Sequence, residues 1–186
     1  MKNVYFKIPA SISVIFVLSF AILAGCGYTT RSAICEQYAT IHVEQFINKI
    51  DITTDSLAAN KYRIYRPMLE SSLTQAVIDR YLFDGNLKPS TAGKADLALK
   101  GELVEFERAP LKYTEDDEVH EYRINLAVNI SLYDTKTNDL IWQEKHFIGD
   151  TTYYTTGPLA KSEDQAVDLA ITDLSRRIVE RTVDQW

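Results

Sequence analysis

Residues 122–132 read Tyr122-Arg123-Ile124-Asn125-Leu126-Ala127-Val128-Asn129-Ile130-Ser131-Leu132, the clearest alternation of side-chain character in the chain. Apolar or aromatic residues occupy the even positions, and polar or small residues occupy the odd positions. Because successive side chains of a strand point to opposite faces of a sheet, this pattern predicts one face in a core and one face in water. The stretch therefore predicts a strand of an antiparallel sheet with one solvated face.

Turn-forming segments lie on both sides of this strand. The acidic run Glu115-Asp116-Asp117-Glu118 predicts a solvated hairpin turn, since it lacks the spaced ligands and the central glycine of a calcium loop. Residues 134–139 predict the next turn, and the return strand begins at Leu140 and runs through Ile148. Tyr153-Tyr154 follows before Gly157-Pro158 breaks the pattern.

The strand before the acidic run has a period of two that changes parity. Leucines stand at odd positions between residues 96 and 103, whereas Val104 and Phe106 stand at even positions. Gly101 is the predicted site of the β-bulge or sharp twist that would cause this change. Pro110 is predicted to close or kink the strand, because proline has no amide hydrogen to donate.

One further strand and two helices complete the pattern. Residues 38–47 predict a first strand with Ile41 and Val43 on one face and His42 on the other. Apolar residues at helical spacing, with Leu82 among them, predict a helix over about 67–83, and Pro67 suits its first turn. Gly85 is the predicted left-handed cap that ends this helix.

The second helix begins at a capping box, Ser162-Glu163-Asp164-Gln165, and continues to about Val183. The order is thus strand, helix, three or so strands, helix. It predicts an α+β two-layer sandwich, in which both helices cover one face of an antiparallel-dominated sheet of about four strands.

The start of the chain has the parts of a secretory signal. Lys2 and Lys7 precede a short apolar run over 12–23, which ends in Leu23-Ala24-Gly25-Cys26. The run is shorter than the roughly 20 residues of a membrane-spanning helix, although an uncut signal serving as a simple anchor is the alternative. The last four residues resemble the lipobox of bacterial lipoproteins, in which the cysteine carries diacylglycerol and further acyl chains such as palmitate. Two or more acyl chains hold a protein stably on a membrane, whereas one holds it marginally.

These observations predict three parts of the chain. Residues 1–25 are a lipoprotein signal peptide, 26–37 are a lipidated tether, and 38–186 are a single domain. The mature chain has 161 residues, enough for one domain with a real core. Loss of the two signal-peptide lysines takes the formal net charge from −6 to −8, which argues against a nucleic-acid ligand.

Chemistry-bearing motifs are absent from the sequence. It contains no nucleophile elbow, zinc-protease motif, phosphate loop or Cys-x-x-Cys pair, and no metal or cofactor apart from the acyl modification is expected. His42, His120 and His146 are far apart, so the chain is predicted not to be an enzyme. Cys35 has no partner cysteine once Cys26 is acylated, which favours a small buried residue over a disulfide to another protein.

Tyrosine content indicates binding instead. The chain has 11 tyrosines, a residue type that is favoured in interfaces although it also suits strands. The predicted contact surfaces are the hydrophilic face of strand 122–132 and the Tyr153-Tyr154 segment.

An ordered set of segments resembles the LptE family of lipopolysaccharide-assembly lipoproteins. Cys26 is followed at once by Gly27-Tyr28, and the set continues with 41–48 (IHVEQFIN), 69–80 (LESSLTQAVIDR), 84–85 (DG), 95–101 (ADLALKG), 121–124 (EYRI), 133–134 (YD) and 140–144 (LIWQE). The resemblance implies a two-layer α/β sandwich anchored by Cys26 in the outer membrane and facing the periplasm. It also implies a plug inside the LptD-type β-barrel, which supports barrel assembly and the delivery of lipopolysaccharide to the surface.

Two features depart from the family pattern. The connection over 49–66 is longer and more polar than the usual step into the first helix, and the net charge is acidic. Phosphorylated lipid A favours Lys and Arg, and a local patch of Lys136, Lys112 and Arg108 is the candidate that the sequence offers. No lipopolysaccharide-binding residue is assigned.

Two other function classes compete with the barrel plug. The first is a periplasm-facing regulatory lipoprotein that activates a peptidoglycan synthase. The tether of about ten residues after Cys26 limits reach at roughly 3.5 Å per residue, which favours a partner in the same membrane. The second is an enzyme, which requires that the strand histidines converge in space.

Overall fold

Within residues 34, 37–50 and 66–183, which the computed structural model describes, the chain forms six strands and two helices. In chain order they are β1 (Thr40–Val43), β2 (Ile47–Asn48), α1 (Leu69–Asp84), β3 (Lys88–Pro89), β4 (Leu97–Tyr113), β5 (Val119–Asp134), β6 (Leu140–Tyr154) and α2 (Glu163–Val183). The predicted α+β sandwich is confirmed. The sheet has six strands where about four were expected, because β2 and β3 have only two residues each and leave no periodic signal.

The sheet combines an antiparallel meander with a parallel edge. Its strand order is β3-β1-β4-β5-β6, and β2 pairs with β4 beyond the end of β1. The β4–β5 and β5–β6 pairs are antiparallel, while β1 pairs in parallel with both β3 and β4. The even-numbered side chains of β5 from Ile124 to Leu132 are fully buried, as the alternation predicts.

The parity change in β4 occurs at Val104 and not at Gly101. The register with β5 shifts between Leu103 and Glu105, which places the bulge beyond the glycine. Gly101 has a different role: a Cβ atom there would lie 2.1 Å from Cε1 of Phe46, whose ring fills the core above it. Glycine is therefore required for close approach and not for a bend.

Pro110 kinks β4 without closing it. The strand continues to Tyr113, with a register irregularity between Pro110 and Lys112. The acidic run after it is a hairpin turn, as predicted. Its ends are joined by a 2.7 Å hydrogen bond from the N–H of Thr114 to the carbonyl of Glu118.

The two helices lie on the same face of the sheet and run in the same direction. Arg66, just before α1, makes a 2.8 Å ion pair with Asp164 in the first turn of α2. Near the opposite ends, the Tyr81 hydroxyl donates a buried 2.8 Å hydrogen bond to Oγ1 of Thr182. Contacts at both ends show that the helices are parallel.

The helix ends follow the predicted signals with one shift. Helix α1 begins at Leu69, after Met68 in a left-handed conformation (φ 62°), so Pro67 lies in the preceding turn and not in the first helical turn. Gly85 is the expected left-handed cap, with φ 76° and its N–H bonded to the Tyr81 carbonyl at 3.0 Å. In α2 the capping box is reciprocal, since Ser162 and Gln165 each bond the other's backbone N–H.

A polar cluster around Asp96, here called the Asp96 clasp, joins three strands at one end of the sheet. The Asp96 carboxylate accepts hydrogen bonds from Lys136 Nζ (2.9 Å), from Thr40 Oγ1 (2.8 Å) and from the Ala39 and Thr40 N–H groups (both 3.2 Å). Lys136, followed by Thr40 and Ala39, holds the pKa of Asp96 at about 2. We call this the clasp end of the sheet; the β4–β5 turn lies at the opposite, distal end.

Helix α2 lies directly on the backbone of β6 at Gly149. A Cβ atom at position 149 would lie 2.4 Å from Cβ of Leu174 and 2.7 Å from its backbone nitrogen. No flexible side chain separates the helix from the strand there, so any larger residue must move the helix.

We expect Gly149→Ala to lower the free energy of unfolding by about 2–3 kcal/mol, because the added methyl group overpacks a rigid backbone contact. Denaturant titration of the purified protein measures this. Gly93→Ala is the matched control: a Cβ atom at position 93 meets nothing within 4 Å. Equal stability of the two variants would contradict the close approach of α2 to β6.

We expect Asp96→Asn to lower the free energy of unfolding at pH 7 by about 1 kcal/mol, because charge-assisted hydrogen bonds to a partly exposed group are weakened. A folded-state pKa of about 2, below the ordinary value of 3.8, stabilises the fold above pH 3.8, and this contribution disappears as the pH falls towards 2. The stability difference between the wild type and the variant, measured by denaturant titration, should therefore shrink over that window.

Asp168→Asn, on the exposed face of α2, is the control for the Asp96 variant. The free energies of unfolding of this variant and of the wild type should differ little at pH 7. A constant stability gap between the wild type and Asp96→Asn from pH 7 to pH 2 would contradict the clasp.

Candidate interaction surface

The face of the sheet opposite the two helices is uncovered by any helix of the described residues, and we call it the open face. It carries the odd-numbered side chains of β5 together with their cross-strand neighbours on β4 and β6. A shallow groove of about 440 Å³ runs across it, lined among others by Glu44, Lys100, Glu102, Ser131, Tyr133 and Lys145. The hydrophilic face that the alternation predicts therefore lies where expected.

The groove has a mixed and locally balanced charge. Lys100 Nζ lies 3.1 Å from Oε1 of Glu44 and 5.4 Å from the centre of the Tyr133 ring. Across the groove, Lys49 Nζ lies 2.6 Å from Oε1 of Glu102, and this ammonium lowers the pKa of the Glu102 carboxyl. Such a surface offers hydrogen bonds of both senses to a polar partner.

The open face is not polar throughout. Ala127, at the centre of β5, is only 1% exposed, whereas Asn129 and Ser131 are half-buried. Asn129 is held in place by its side-chain oxygen, which accepts a 3.0 Å hydrogen bond from the N–H of His146. Accessible side chains of this face thus lie on both sides of Ala127, with Ser131 towards the clasp end and Arg123 towards the distal end.

Tyr153 is not the exposed contact residue that the sequence predicts. It is 4% exposed and stacks on Tyr122, with ring centres 5.7 Å apart. Strand β6 continues to Tyr154 after a bulge near His146, so its register turns Tyr153 towards the helix-covered face, and burial raises the pKa of its phenol. Tyr154 points to the other side and is half-buried beside His120.

The three histidines do not converge. Nδ1 of His42 lies 3.0 Å from the Ser90 carbonyl oxygen, Nδ1 of His120 lies 2.8 Å from Thr156 Oγ1, and Nε2 of His146 lies 3.9 Å from Glu105. Across the described part of the chain, no three His, Cys, Asp or Glu side chains are grouped to hold a metal ion. The enzymatic alternative therefore gains no support from these residues.

The candidate basic patch is dispersed. Lys136 lies at the clasp end and pairs with Asp96, while Lys112 pairs with Glu121 at the distal end, about 50 Å away along β4. Arg108 pairs with Glu163 at the start of α2. The three cations cannot form one site, because the register separates them.

Exposed apolar residues that the sequence pattern does not single out lie at the helix ends. Leu82 is 64% exposed and Phe83 is 81% exposed in the last turn of α1. Met68 and Leu159 are similarly exposed near the helix starts. The buried stripe of α1 consists of Leu69, Leu73, Thr74, Val77 and Tyr81.

Two cysteines and a connection fall outside the described residues. They are Cys26, Cys35 and residues 51–65 of the long 49–66 connection. The lipidation of Cys26 therefore stays a prediction. Among the helices that are described, none is both long and apolar enough to cross a membrane.

Solved structures of other bacterial proteins align with most of this chain. A protein of Xanthomonas campestris aligns with a TM-score of 0.51 at 11% identity, over 78% of this chain and 84% of that chain. The minor lipoprotein of Acinetobacter baumannii aligns with a TM-score of 0.47 at 14% identity, over 80% and 94% of the two chains. The rare lipoprotein B of Shewanella oneidensis aligns with a TM-score of 0.43 at 15% identity, over 77% and 91%.

Sequence comparison gives the family. No curated protein matches the chain. The family model described as LptE, lipopolysaccharide-assembly, matches residues 38–182, which include all six strands, helix α1 and nearly all of α2. Because the match spans well over half of the chain, this protein belongs to the LptE family of lipopolysaccharide assembly.

Proposed function

We propose that this protein is an outer-membrane lipoprotein that binds and plugs an LptD-type β-barrel translocon. In this role it supports folding of the barrel and the delivery of lipopolysaccharide to the cell surface. The observation that carries the proposal is the family match over residues 38–182. This role requires binding to the barrel and a shape that fits its lumen, and it requires no catalytic step.

The anchor in this proposal is Cys26, whose thiol is acylated before residues 1–25 are removed. Ile34, the first described residue, follows Cys26 by eight positions, is 8% exposed and packs into the core. Eight extended residues span at most about 28 Å, so the domain stays close to the membrane that holds the acyl chains. A short tether supports a partner embedded in that same membrane.

The open face supports a barrel as the partner. The lumen of an outer-membrane barrel is lined by polar side chains, so a plug needs a polar surface with hydrogen-bonding groups. The groove supplies amides, a hydroxyl and charges in local pairs, such as Lys100 with Glu44. We place the barrel contact on this face, centred on Ser131.

The lysines of the candidate basic patch give no concentrated site for lipid A phosphates. Lys112 and Lys136, at opposite ends of the sheet, are each paired with a carboxylate. In our proposal the protein therefore assists delivery through the barrel, and no lipopolysaccharide-binding residue is assigned.

We expect Cys26→Ser to release the protein from the membrane fraction into the soluble fraction, because the acyl chains would be absent. Mass spectrometry of the wild-type protein should give a first residue Cys26 carrying acyl groups. An unmodified amino terminus at Met1 would instead favour the uncut signal anchor.

We expect Ser131→Arg to reduce co-purification of the barrel with the tagged protein by at least about tenfold, because a long charged side chain in the groove obstructs close contact. Ser72→Arg, the same change on the exposed face of α1, is the matched control and should retain the barrel. Thermal unfolding of both variants tests that the fold is kept.

Depletion of the protein, with surface lipopolysaccharide and barrel folding as readouts, tests the wider role. Both should fall. Unchanged surface lipopolysaccharide, together with a peptidoglycan synthase in the pull-down, would replace this proposal with the synthase activator.

A further inference from the structure

Two apolar side chains at the end of α1, here called the Leu82–Phe83 tip, point away from the core. Phe83 is 81% exposed and Leu82 is 64% exposed, whereas Tyr81 beside them is fully buried. The Arg80 guanidinium lies 5.2 Å from the centre of the Phe83 ring. Two large apolar residues exposed side by side offer a surface to an apolar partner.

The tip lies at the end of the domain that receives the tether. Gly85 ends α1, and the N–H of Lys88 donates a 3.0 Å hydrogen bond to the carbonyl of Ala39. The five residues from Phe83 to Lys88 span at most about 17 Å. The tip is therefore close to Tyr38 and Ala39, through which the chain from Cys26 enters the sheet.

Resting on the acyl anchor of the proposed function, we propose that the Leu82–Phe83 tip dips into the interfacial layer of the membrane that holds Cys26. With the acyl chains it forms a second attachment point, and it orients the partner-free domain with its clasp end on the lipid. The occupant of the tip is thus a phospholipid surface.

The chemistry of the tip suits the boundary between headgroups and acyl chains. Leucine and phenylalanine enter this layer favourably when a helix end presents them. The Arg80 guanidinium lies over the Phe83 ring and can stay among the headgroups while the ring enters the layer below. The mature chain has a formal net charge of −8, so it has no general electrostatic attraction to anionic lipid. The contact between the tip and the membrane is therefore apolar.

Exposure alone does not select the tip, since other helix ends are equally apolar. Leu159 is 71% exposed and Met68 is 68% exposed, near the starts of the parallel helices. Helix α1 has 16 residues and is about 24 Å long, so these residues lie a helix length away from the clasp end. The short tether enters the domain at the clasp end. The apolar residues that lie at this end, and so close to the membrane, are those of the Leu82–Phe83 tip.

The test uses the full-length acylated protein in vesicles of phosphatidylethanolamine and phosphatidylglycerol, without the barrel. Phe83→Trp and Leu159→Trp are prepared as a matched pair, and vesicles with and without brominated acyl chains are compared. The contribution of the native Trp142 and Trp186 is subtracted with the unsubstituted protein. We expect the emission of the tryptophan introduced at position 83 to shift to shorter wavelength and to be quenched. The emission of the tryptophan introduced at position 159 should do neither.

Each other outcome overturns the inference in a distinguishable way. Equal quenching at the two positions, or none at position 83, overturns the lipid contact while the anchor and barrel binding stand. Protection of the indole at position 83 only after the barrel is added assigns the tip to the barrel wall. Failure of the wild-type protein to stay on vesicles overturns the acyl anchor, and this inference with it.

Discussion

The sheet depends on one close contact, the ring of Phe46 above Gly101. Phe46 lies in the three-residue break between β1 and β2, and its N–H is bonded to Thr74 Oγ1 of α1 at 3.0 Å. Because position 101 has no side chain, the ring enters the core while β1 and β2 both stay paired with β4. The break moves the chain past the end of β1 and lets β2 continue the parallel edge. A larger residue at position 101 would have to expel the ring or separate the two strands from β4.

The helices leave one face of this sheet accessible and cover part of the β6 edge. Backbone groups of an edge strand ordinarily pair with another strand, and α2 occupies some of these groups on β6. Asp173 accepts a hydrogen bond from the N–H of Asp150, and Arg181 pairs with Glu144. Between these points His146 takes a positive φ of 54°, which interrupts the regular edge. Docking through side chains on the open face therefore fits this sheet better than addition of a strand at β6.

Local signals in the sequence were sufficient for the elements that depend on local physics. The alternation in β5, the capping box at Ser162 and the left-handed cap at Gly85 all depend on residues within a few positions of one another. The contact between Phe46 and Gly101 joins residues 55 positions apart, and a glycine inside a strand is compatible with either a bend or a close approach. Tyr153 was misplaced for a related reason: its face is set by the register of β6 after the bulge at His146, which no local pattern records. The exposure of Leu82 and Phe83 has no local signal, because helical spacing does not give the width of the buried stripe.

The Asp96 clasp connects the start of β1 to the two longest strands of the sheet. Tyr38 donates a 2.9 Å hydrogen bond to Asp134, and Ala39 and Thr40 are bonded to Asp96, so the chain that enters from Cys26 is tied at once to β5 and β4. The pKa of Asp96, at about 2, keeps this carboxylate ionised well below neutral pH. A force on the chain before Tyr38 is therefore carried directly by the two longest strands, β4 and β5. The distal hairpin joins the same two strands, so it lies at the opposite end of the sheet from the residues that the clasp holds.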